Sequence, residues 1–265
     1  MARIELNGHR ANVETDGAGP QVVLVHGLTG SIALTWSEIA PALARDHHVA
    51  RYDLRGAGRS EVTPGPYSLD LLADDLAALL TATEAADACL VGHSLGGAIV
   101  LAAAALVPER VARVVTVGVA LPLPEPARQM VLDLAARART EGISSVSQTL
   151  ANLGTSERFR SQQPERFARF VAAIATADPG GFAALARAVA DVELASRLPR
   201  VRVPVTFVAG SEDELSPPAA NEQLAESLAM AEVQVVRDSG HEMTLEQPAA
   251  VLELIRAAER SPRPA

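Results

Sequence analysis

A serine between glycines is the residue whose surroundings best fit covalent chemistry. It is Ser94, in the stretch 92–96, which reads GHSLG. An apolar run, residues 88–91, precedes it, and an alanine-rich apolar run, residues 98–107, follows it. A strand, a sharp turn and a helix in that order expose a serine hydroxyl at the edge of a parallel sheet. The pattern therefore predicts a nucleophilic serine at position 94.

A serine hydroxyl is a poor nucleophile near neutral pH unless a neighbouring base removes its proton. In a strand–turn–helix architecture of this kind, the chain order is serine, then acid, then histidine. His241 is the only one of the six histidines that follows Ser94 in the sequence. It stands in a polar loop directly after the last predicted strand, residues 233–236, so we predict that it is the base.

The acid that orients the histidine is expected at the end of another strand. The apolar run 203–209 is that strand, and its exit loop carries Glu212, Asp213 and Glu214. We predict Asp213 as the orienting acid and interpret the two glutamates as solvated neighbours. The alternative position follows the strand that ends near Val119, where the next five residues include no carboxylate.

Backbone amides are expected to bind the negative charge that develops on a carbonyl oxygen under attack. The amide of Leu95, directly after the serine, is one predicted donor. The amide of Leu28 is the other, in the loop that follows the predicted strand 22–25. Glycines on either side of this loop allow the close approach that such a donor requires.

Short apolar runs alternate with helical patterns along most of the chain. Continuous apolar runs are typical of strands that are buried on both faces of a parallel sheet. The alternation predicts an α/β fold with a doubly wound, mostly parallel sheet, and Asn7-Gly8 predicts a hairpin at its start. The predicted strands span residues 22–25, 49–52, 88–91, 111–119, 203–209 and 233–236. The predicted helices between them span residues 36–45, 69–82, 98–107, 219–228 and 248–259.

The alternation is interrupted once, and residues 122–200 are predicted to form an inserted helical cap. This stretch has no convincing strand pattern, and prolines mark both of its ends. The prediction divides the chain into a core, residues 1–121 and 201–265, and the cap. The predicted cap helices span residues 125–141, 143–152, 164–176 and 180–190.

Four aromatic side chains are candidates for contact with a substrate. Phe159, Phe167 and Phe182 lie in the predicted cap, and Trp36 lies at the start of a predicted core helix. The alternative for each is that it only packs against its own helices. We predict all four as substrate contacts.

Composition argues against several other functions. The net charge is −9 and the basic residues are scattered, which argues against binding to nucleic acid. No group of His and Cys residues has the spacing of a metal site. The lone Cys89 and the absence of a signal-peptide pattern predict a cytoplasmic protein. The apolar run 98–107 is too short to span a membrane. We expect a small-molecule partner, and a monomer or a homodimer.

These landmarks resemble the α/β-hydrolase fold superfamily over nearly the whole chain. Within it, the sequence is most similar to the 3-oxoadipate enol-lactonase group, and the similarity includes residues 177–182. The resemblance implies hydrolysis of an ester or lactone with Ser94 as nucleophile, Asp213 as orienting acid and His241 as base. It implies neither a metal nor an organic cofactor. A tryptophan that the group carries near residues 150–154 is missing here, which leaves the substrate open.

The predicted function is therefore hydrolysis of a small ester or lactone through an acyl-enzyme on Ser94. Three other reactions could use the same residues: carbon–carbon bond hydrolysis, acyl transfer to an acceptor other than water, and peroxyacid formation. A receptor that only binds a ligand is a further alternative, although a receptor needs no base or orienting acid. Haloalkane dehalogenase and epoxide hydrolase chemistry is excluded, because both need a carboxylate in place of the serine.

Overall fold

One twisted sheet forms the centre of the molecule. The computed structural model describes residues 2–260, and within them the sheet has eight strands. The strands are β1 (Ala2–Leu6), β2 (His9–Asp16), β3 (Gln21–Val25), β4 (His48–Tyr52), β5 (Ala88–His93), β6 (Val111–Val117), β7 (Val205–Gly210) and β8 (Ala231–Val236). Their order across the sheet is β1-β2-β4-β3-β5-β6-β7-β8.

Most of this sheet is parallel. Strands β4, β3, β5, β6, β7 and β8 pair in parallel, whereas β1 and β2 form an antiparallel hairpin and β2 pairs antiparallel with β4. At the hairpin turn, Asn7 and Gly8 both take positive φ angles, 43° and 79°. A two-residue turn of this hand requires that conformation at both positions. The predicted α/β fold, with its doubly wound and mostly parallel sheet, is confirmed, as is the hairpin.

Helices cover both faces of the sheet. They are α1 (Ile32–Thr35), α2 (Ile39–Leu43), α3 (Leu69–Ala82), α4 (Leu95–Leu106), α5 (Glu125–Glu141), α6 (Ser144–Gly154), α7 (Glu157–Gln162), α8 (Pro164–Ile174), α9 (Pro179–Ala190), α10 (Pro218–Glu226), α11 (Met243–Glu246) and α12 (Pro248–Arg260). Among residues 2–260, no helix is both long enough and apolar enough to cross a membrane.

Two apolar cores lie on opposite faces of the sheet because successive side chains of a strand alternate in direction. Val23 and Val25 of β3 belong to the core that packs against α3 and α4. Val22 and Leu24 belong to the core that packs against α2 and α12. Helix α4 has all of its first eleven residues buried, and its many alanines let it fit closely against the strands. The cores therefore fix the place where β5 ends and α4 begins.

The connection between β6 and β7 carries five α-helices. The structure describes all of it, and it contains α5 to α9 and no strand. We call residues 125–190 the helical segment. A third apolar core, which includes Ile143, Phe170 and Phe182, lies within it and contacts Leu28 and Leu34 of the sheet domain. This core holds the helices of the segment together and seats them on the loop that follows β3.

Three local differences from the sequence prediction have physical causes. The helix predicted over residues 36–45 is shorter in the structure, where α2 spans Ile39–Leu43, because Pro41 fits only within the first turn of a helix. Strand β6 ends at Val117 instead of 119, because Gly118 adopts a φ of +58°. Helix α7 is absent from the prediction, because its six residues are too few to show a periodic apolar pattern.

Candidate active site

Ser94 occupies the sharp turn between β5 and α4. Its φ and ψ are 54° and −118°, a strained conformation for a residue with a side chain. The amide of Ser94 donates to the carbonyl of Val117 at 2.9 Å, which ties the turn to β6. A Cβ atom at Gly92 would lie 2.2 Å from the carbonyl oxygen of Gly96. The turn can therefore close only with glycine at position 92, and this explains the residue spacing around the serine.

His241 lies within hydrogen-bond distance of the serine. It follows β8, and its Nε2 atom is 2.9 Å from Ser94 Oγ. Its other ring nitrogen, Nδ1, is 2.9 Å from Asp213 Oδ2. Because a carboxylate only accepts hydrogen bonds, Nδ1 carries the proton and Nε2 is free to accept the proton of the hydroxyl. The three residues, far apart in the sequence, form one continuous chain of hydrogen bonds.

Asp213 is fixed by the loop that follows β7. Its Oδ1 atom accepts hydrogen bonds from the amides of Leu215 and Ser216, at 2.9 and 2.8 Å. Oδ2 therefore remains directed at His241. Asp213 is 3% exposed, whereas Glu212 and Glu214 are exposed to solvent. The geometry thus distinguishes among the three acids of this loop, which residue type and spacing alone do not.

Burial and charge act in opposite directions on the pKa values of this pair. Burial lowers the pKa of His241, but the charge and hydrogen bond of Asp213 outweigh it, and the net pKa lies above the ordinary value. Burial raises the pKa of Asp213, but the His241 charge and the hydrogen bonds to Asp213 outweigh it, and its net pKa is lowered. Asp213 therefore stays ionised and stabilises the protonated form of His241.

Gly118 packs directly against the histidine and the aspartate. A Cβ atom at this position would lie 3.0 Å from Nδ1 of His241 and 3.2 Å from Oδ2 of Asp213. The residue also has a positive φ of 58°, which favours glycine. The sequence prediction missed this requirement, although a lone glycine that ends a valine-rich strand is a visible signal.

His93 supports the backbone of His241. Its Nε2 atom lies 3.1 Å from the carbonyl oxygen of His241, so Nε2 is the donor. Burial lowers the pKa of His93, which favours the neutral ring. Its side chain lines the same cavity as Ser94.

A buried glutamate connects the His241 loop to the helical segment. Glu246 accepts hydrogen bonds from the hydroxyl and the amide of Ser156, at 2.5 and 3.0 Å, and from the amide of Gly240 at 3.2 Å. In addition, the amide of Glu242 donates to the carbonyl of Gly154 at 2.8 Å. The loop that carries the histidine is thus held on both sides of His241 by the turn between α6 and α7.

The loop after β3 lies against the serine. A Cβ atom at Gly27 would lie 2.8 Å from the Cβ atom of Ser94, so this backbone comes very close to the nucleophile. The amides of Leu28 and Leu95 do not donate to any backbone carbonyl in the turns and loops of the described residues. Leu95 is also the first residue of α4, where backbone amides lack partners within the helix. Both amides stay predicted donors to an oxyanion.

A largely apolar cavity of about 110 Å³ opens beside Ser94 and His241. Of the four aromatic residues predicted to contact a substrate, Phe182 lines this cavity. For Trp36, Phe159 and Phe167 the prediction is wrong. Trp36 is fully buried in the core against α2 and α12, and Phe159 is buried beneath the guanidinium of Arg166. Phe167 packs within the core of the helical segment.

Six aliphatic side chains of the helical segment line the cavity, and sequence reasoning missed them. They lie on apolar helical faces, and the apolar pattern alone predicts that such faces pack against neighbouring helices. They are Met130, Val131, Leu134, Leu150, Leu153 and Val189. No cluster of His, Cys, Asp and Glu that could hold a metal ion occurs among residues 2–260.

This combination of fold and site belongs to a known class of proteins. Residues 20–248 match the model of the family described as alpha/beta hydrolase fold, and the chain is a member of that family. It is similar to 3-oxoadipate enol-lactonase 2 of Acinetobacter baylyi, with 27% identity over 78% of this chain and 76% of the relative.

Two solved structures are similar over nearly the full length. A thermophilic esterase from Thermogutta terrifontis has 29% identity and a TM-score of 0.91, with 98% of both chains covered. The enol-lactonase from Burkholderia xenovorans LB400 has 26% identity and a TM-score of 0.92, with 98% of this chain and all of that chain (100%) covered. The predicted resemblance to α/β hydrolases and to enol-lactonases is therefore confirmed.

The substitution Gly118→Ala tests the packing against the histidine and aspartate. The new methyl group should displace His241, and we expect kcat/KM to fall by about 10- to 100-fold. The positive φ should also lower the free energy of unfolding by roughly 1–2 kcal/mol. Steady-state kinetics on an activated ester and denaturant unfolding measure the two effects.

Gly142→Ala is the matched control for this substitution. Gly142 also has a positive φ, 86°, but the nearest atom to its added Cβ is Ser144 Oγ at 3.9 Å. The Gly142→Ala protein should show a similar loss in the free energy of unfolding and keep the wild-type kcat/KM. A folded Gly118→Ala protein with wild-type kinetics would contradict the positioning role.

Substitutions of Glu246 test the connection between the histidine loop and the helical segment. Glu246→Leu leaves two buried amides unpaired, which should lower the free energy of unfolding by about 2 kcal/mol or more. We also expect a lower kcat, because the His241 loop is held less firmly. Glu246→Gln keeps an acceptor oxygen and should stay close to wild type in both respects. Equal kcat and melting temperature in the Leu and Gln variants would show that the connection is unimportant.

Proposed function

We propose that this protein is a serine hydrolase that cleaves a small ester or lactone through an acyl-enzyme on Ser94. The observation that carries the proposal is the hydrogen-bond chain from Ser94 through His241 to Asp213, with both distances at 2.9 Å. A nucleophile, a base and an orienting acid in this arrangement are the machinery of acyl transfer. A receptor has no use for such a chain.

In the proposed mechanism, His241 takes the proton of Ser94 as the serine oxygen attacks the carbonyl carbon. The amides of Leu28 and Leu95 then stabilise the oxyanion of the tetrahedral intermediate. Asp213 stabilises the positively charged imidazole and keeps its orientation. His241 next gives its proton to the leaving alcohol or enol oxygen. Water, activated by the same histidine, finally releases the acid and restores the serine.

We assign residues 122–200 the role of a cap over this site. Helices of the segment supply a large part of the cavity wall, and the turn between α6 and α7 holds the histidine loop. The remaining residues, 1–121 and 201–265, form the hydrolase core in this proposal. A cap of this kind limits the access of water and selects the substrate by shape.

The relatives support ester and lactone bonds as the substrate class. An enol-lactonase and an esterase are both similar to this chain over nearly its whole length. Carbon–carbon bond hydrolysis, transfer to another acceptor and peroxyacid formation would use the same serine. Incubation of the acyl-enzyme with water, alcohols or peroxide, followed by product analysis, separates acyl transfer and peroxyacid formation from hydrolysis.

Replacement of the serine tests the proposal. Ser94→Ala should reduce kcat on an activated ester by a factor on the order of 10⁶, because the nucleophile is lost. Ser161→Ala is the control, since Ser161 is an exposed serine of α7 whose hydroxyl bonds only the carbonyl of Arg158. Release of p-nitrophenol from p-nitrophenyl acetate measures both. Turnover near wild type in purified Ser94→Ala would refute the proposal.

The dependence of the rate on pH tests the role of His241. The protonated imidazole cannot accept the serine proton, so kcat/KM should rise with pH. The midpoint should lie above about 6.5, because Asp213 raises the pKa of His241 beyond the effect of burial.

Asp213→Asn should shift this midpoint to lower pH and reduce kcat by about 10³–10⁴-fold. The pH profile of kcat/KM for both proteins measures the effect. A rate that does not change from acid to neutral pH would argue against His241 as the base. An identical midpoint in Asp213→Asn would argue against the assigned acid.

A further inference from the structure

The chemistry of the cavity wall narrows the substrate class, an inference that rests on the proposed function. The cavity beside Ser94 is lined by leucines, two valines, a methionine, a phenylalanine and small residues. Its polar side chains are those of Thr29, His93, Ser94, His241 and Glu242. No arginine lines it in the described part of the chain, and the sequence contains no lysine. The wall therefore offers no permanent cation to a substrate carboxylate.

The arginines of the helical segment near the His241 loop already have other partners. Arg158 pairs with Asp238 at 3.2 Å. Arg160 donates to the backbone carbonyls of residues 152 and 155. Arg166 pairs with Glu38 at 2.5 Å and donates to the carbonyl of residue 245. None of these three arginines lines the cavity.

Glu242 places a carboxylate in the cavity wall itself. It is buried, its charge contributes to the raised pKa of His241, and Thr29 and His93 lie beside its side chain. Thr29 donates to Oε1 at 3.4 Å, and His93 Nε2 lies 3.8 Å from Oε2. Burial keeps His93 neutral near pH 7 by lowering its pKa, and its Nε2 proton is directed at the carbonyl of His241. A second carboxylate in this apolar space would therefore meet a like charge with little screening.

The mouth of the cavity is apolar as well. Met130, Leu153 and Leu215 line the cavity and are each 37% exposed to solvent. Large exposed apolar side chains that surround an opening mark a surface that binds apolar groups. The net charge of −9 also disfavours the approach of anionic substrates.

We propose that the substrate is an uncharged ester or lactone with an aliphatic acyl arm, and that Glu242 with its apolar surroundings excludes substrates that carry a carboxylate on that arm. The aliphatic wall from the helical segment binds the arm, and the carbonyl lies at Ser94. A dicarboxylate enol-lactone is therefore a poor substrate, despite the similarity of the chain to enol-lactonases.

A matched pair of esters tests the proposal: p-nitrophenyl hexanoate and mono-p-nitrophenyl adipate, which differ at the far end of a six-carbon acyl chain. We expect kcat/KM to be at least about tenfold higher for the hexanoyl ester, because the adipoyl carboxylate meets Glu242. Comparable or higher kcat/KM for the adipoyl ester would overturn the proposal while the proposed function stands. Failure of Ser94-dependent turnover on both esters would refute the proposed function itself.

Glu242→Gln isolates the contribution of the carboxylate. The ratio of kcat/KM for the hexanoyl ester to that for the adipoyl ester should fall several-fold in this variant. Glu222→Gln, which removes an exposed charge on α10 outside the cavity, should keep the wild-type ratio. An unchanged ratio in a folded Glu242→Gln protein would overturn the role of Glu242. If that variant does not fold, the ester ratio of the wild-type protein still decides the substrate class.

Discussion

The candidate active site depends on one constraint. Ser94, His241 and Asp213 must approach one another to hydrogen-bond distance at one edge of the sheet. Each residue follows a different strand, β5, β8 and β7, and parallel pairing brings the ends of these strands to the same edge. The space is tight, because an added Cβ atom would lie 2.2 Å from the carbonyl oxygen of Gly96 at position 92 and 3.0 Å from His241 Nδ1 at position 118. A strained backbone at Ser94 is tolerated because the two large cores on either side hold β5 and α4 in place.

The helical segment has two physical functions in this account. It supplies an aliphatic wall to the cavity, and through Ser156 and Glu246 it holds the loop that carries the histidine. Substrate selection and the position of the base are thus connected through the same turn.

The sheet and the approach of Ser94, Asp213 and His241 to one another could be predicted from the sequence, because both depend on local patterns and chain order. Apolar runs show buried strands directly, and His241 is the only histidine after Ser94. The cavity wall was predicted poorly. Which face of a helix in the helical segment points inward depends on packing between distant elements, so Leu134 and Leu150 gave no signal, while Trp36 and Phe159 proved to be core residues. The connection between Glu246 and Ser156 spans 90 positions and has no local signature.

The most direct test of the central claim is covalent labelling of the serine. The purified protein is treated with a p-nitrophenyl alkylphosphonate, which traps an activated serine, and its peptides are then analysed by mass spectrometry. The account predicts one equivalent of label per chain, located on Ser94, with loss of esterase activity in step with labelling. A protein that hydrolyses esters while Ser94 stays unmodified would contradict it.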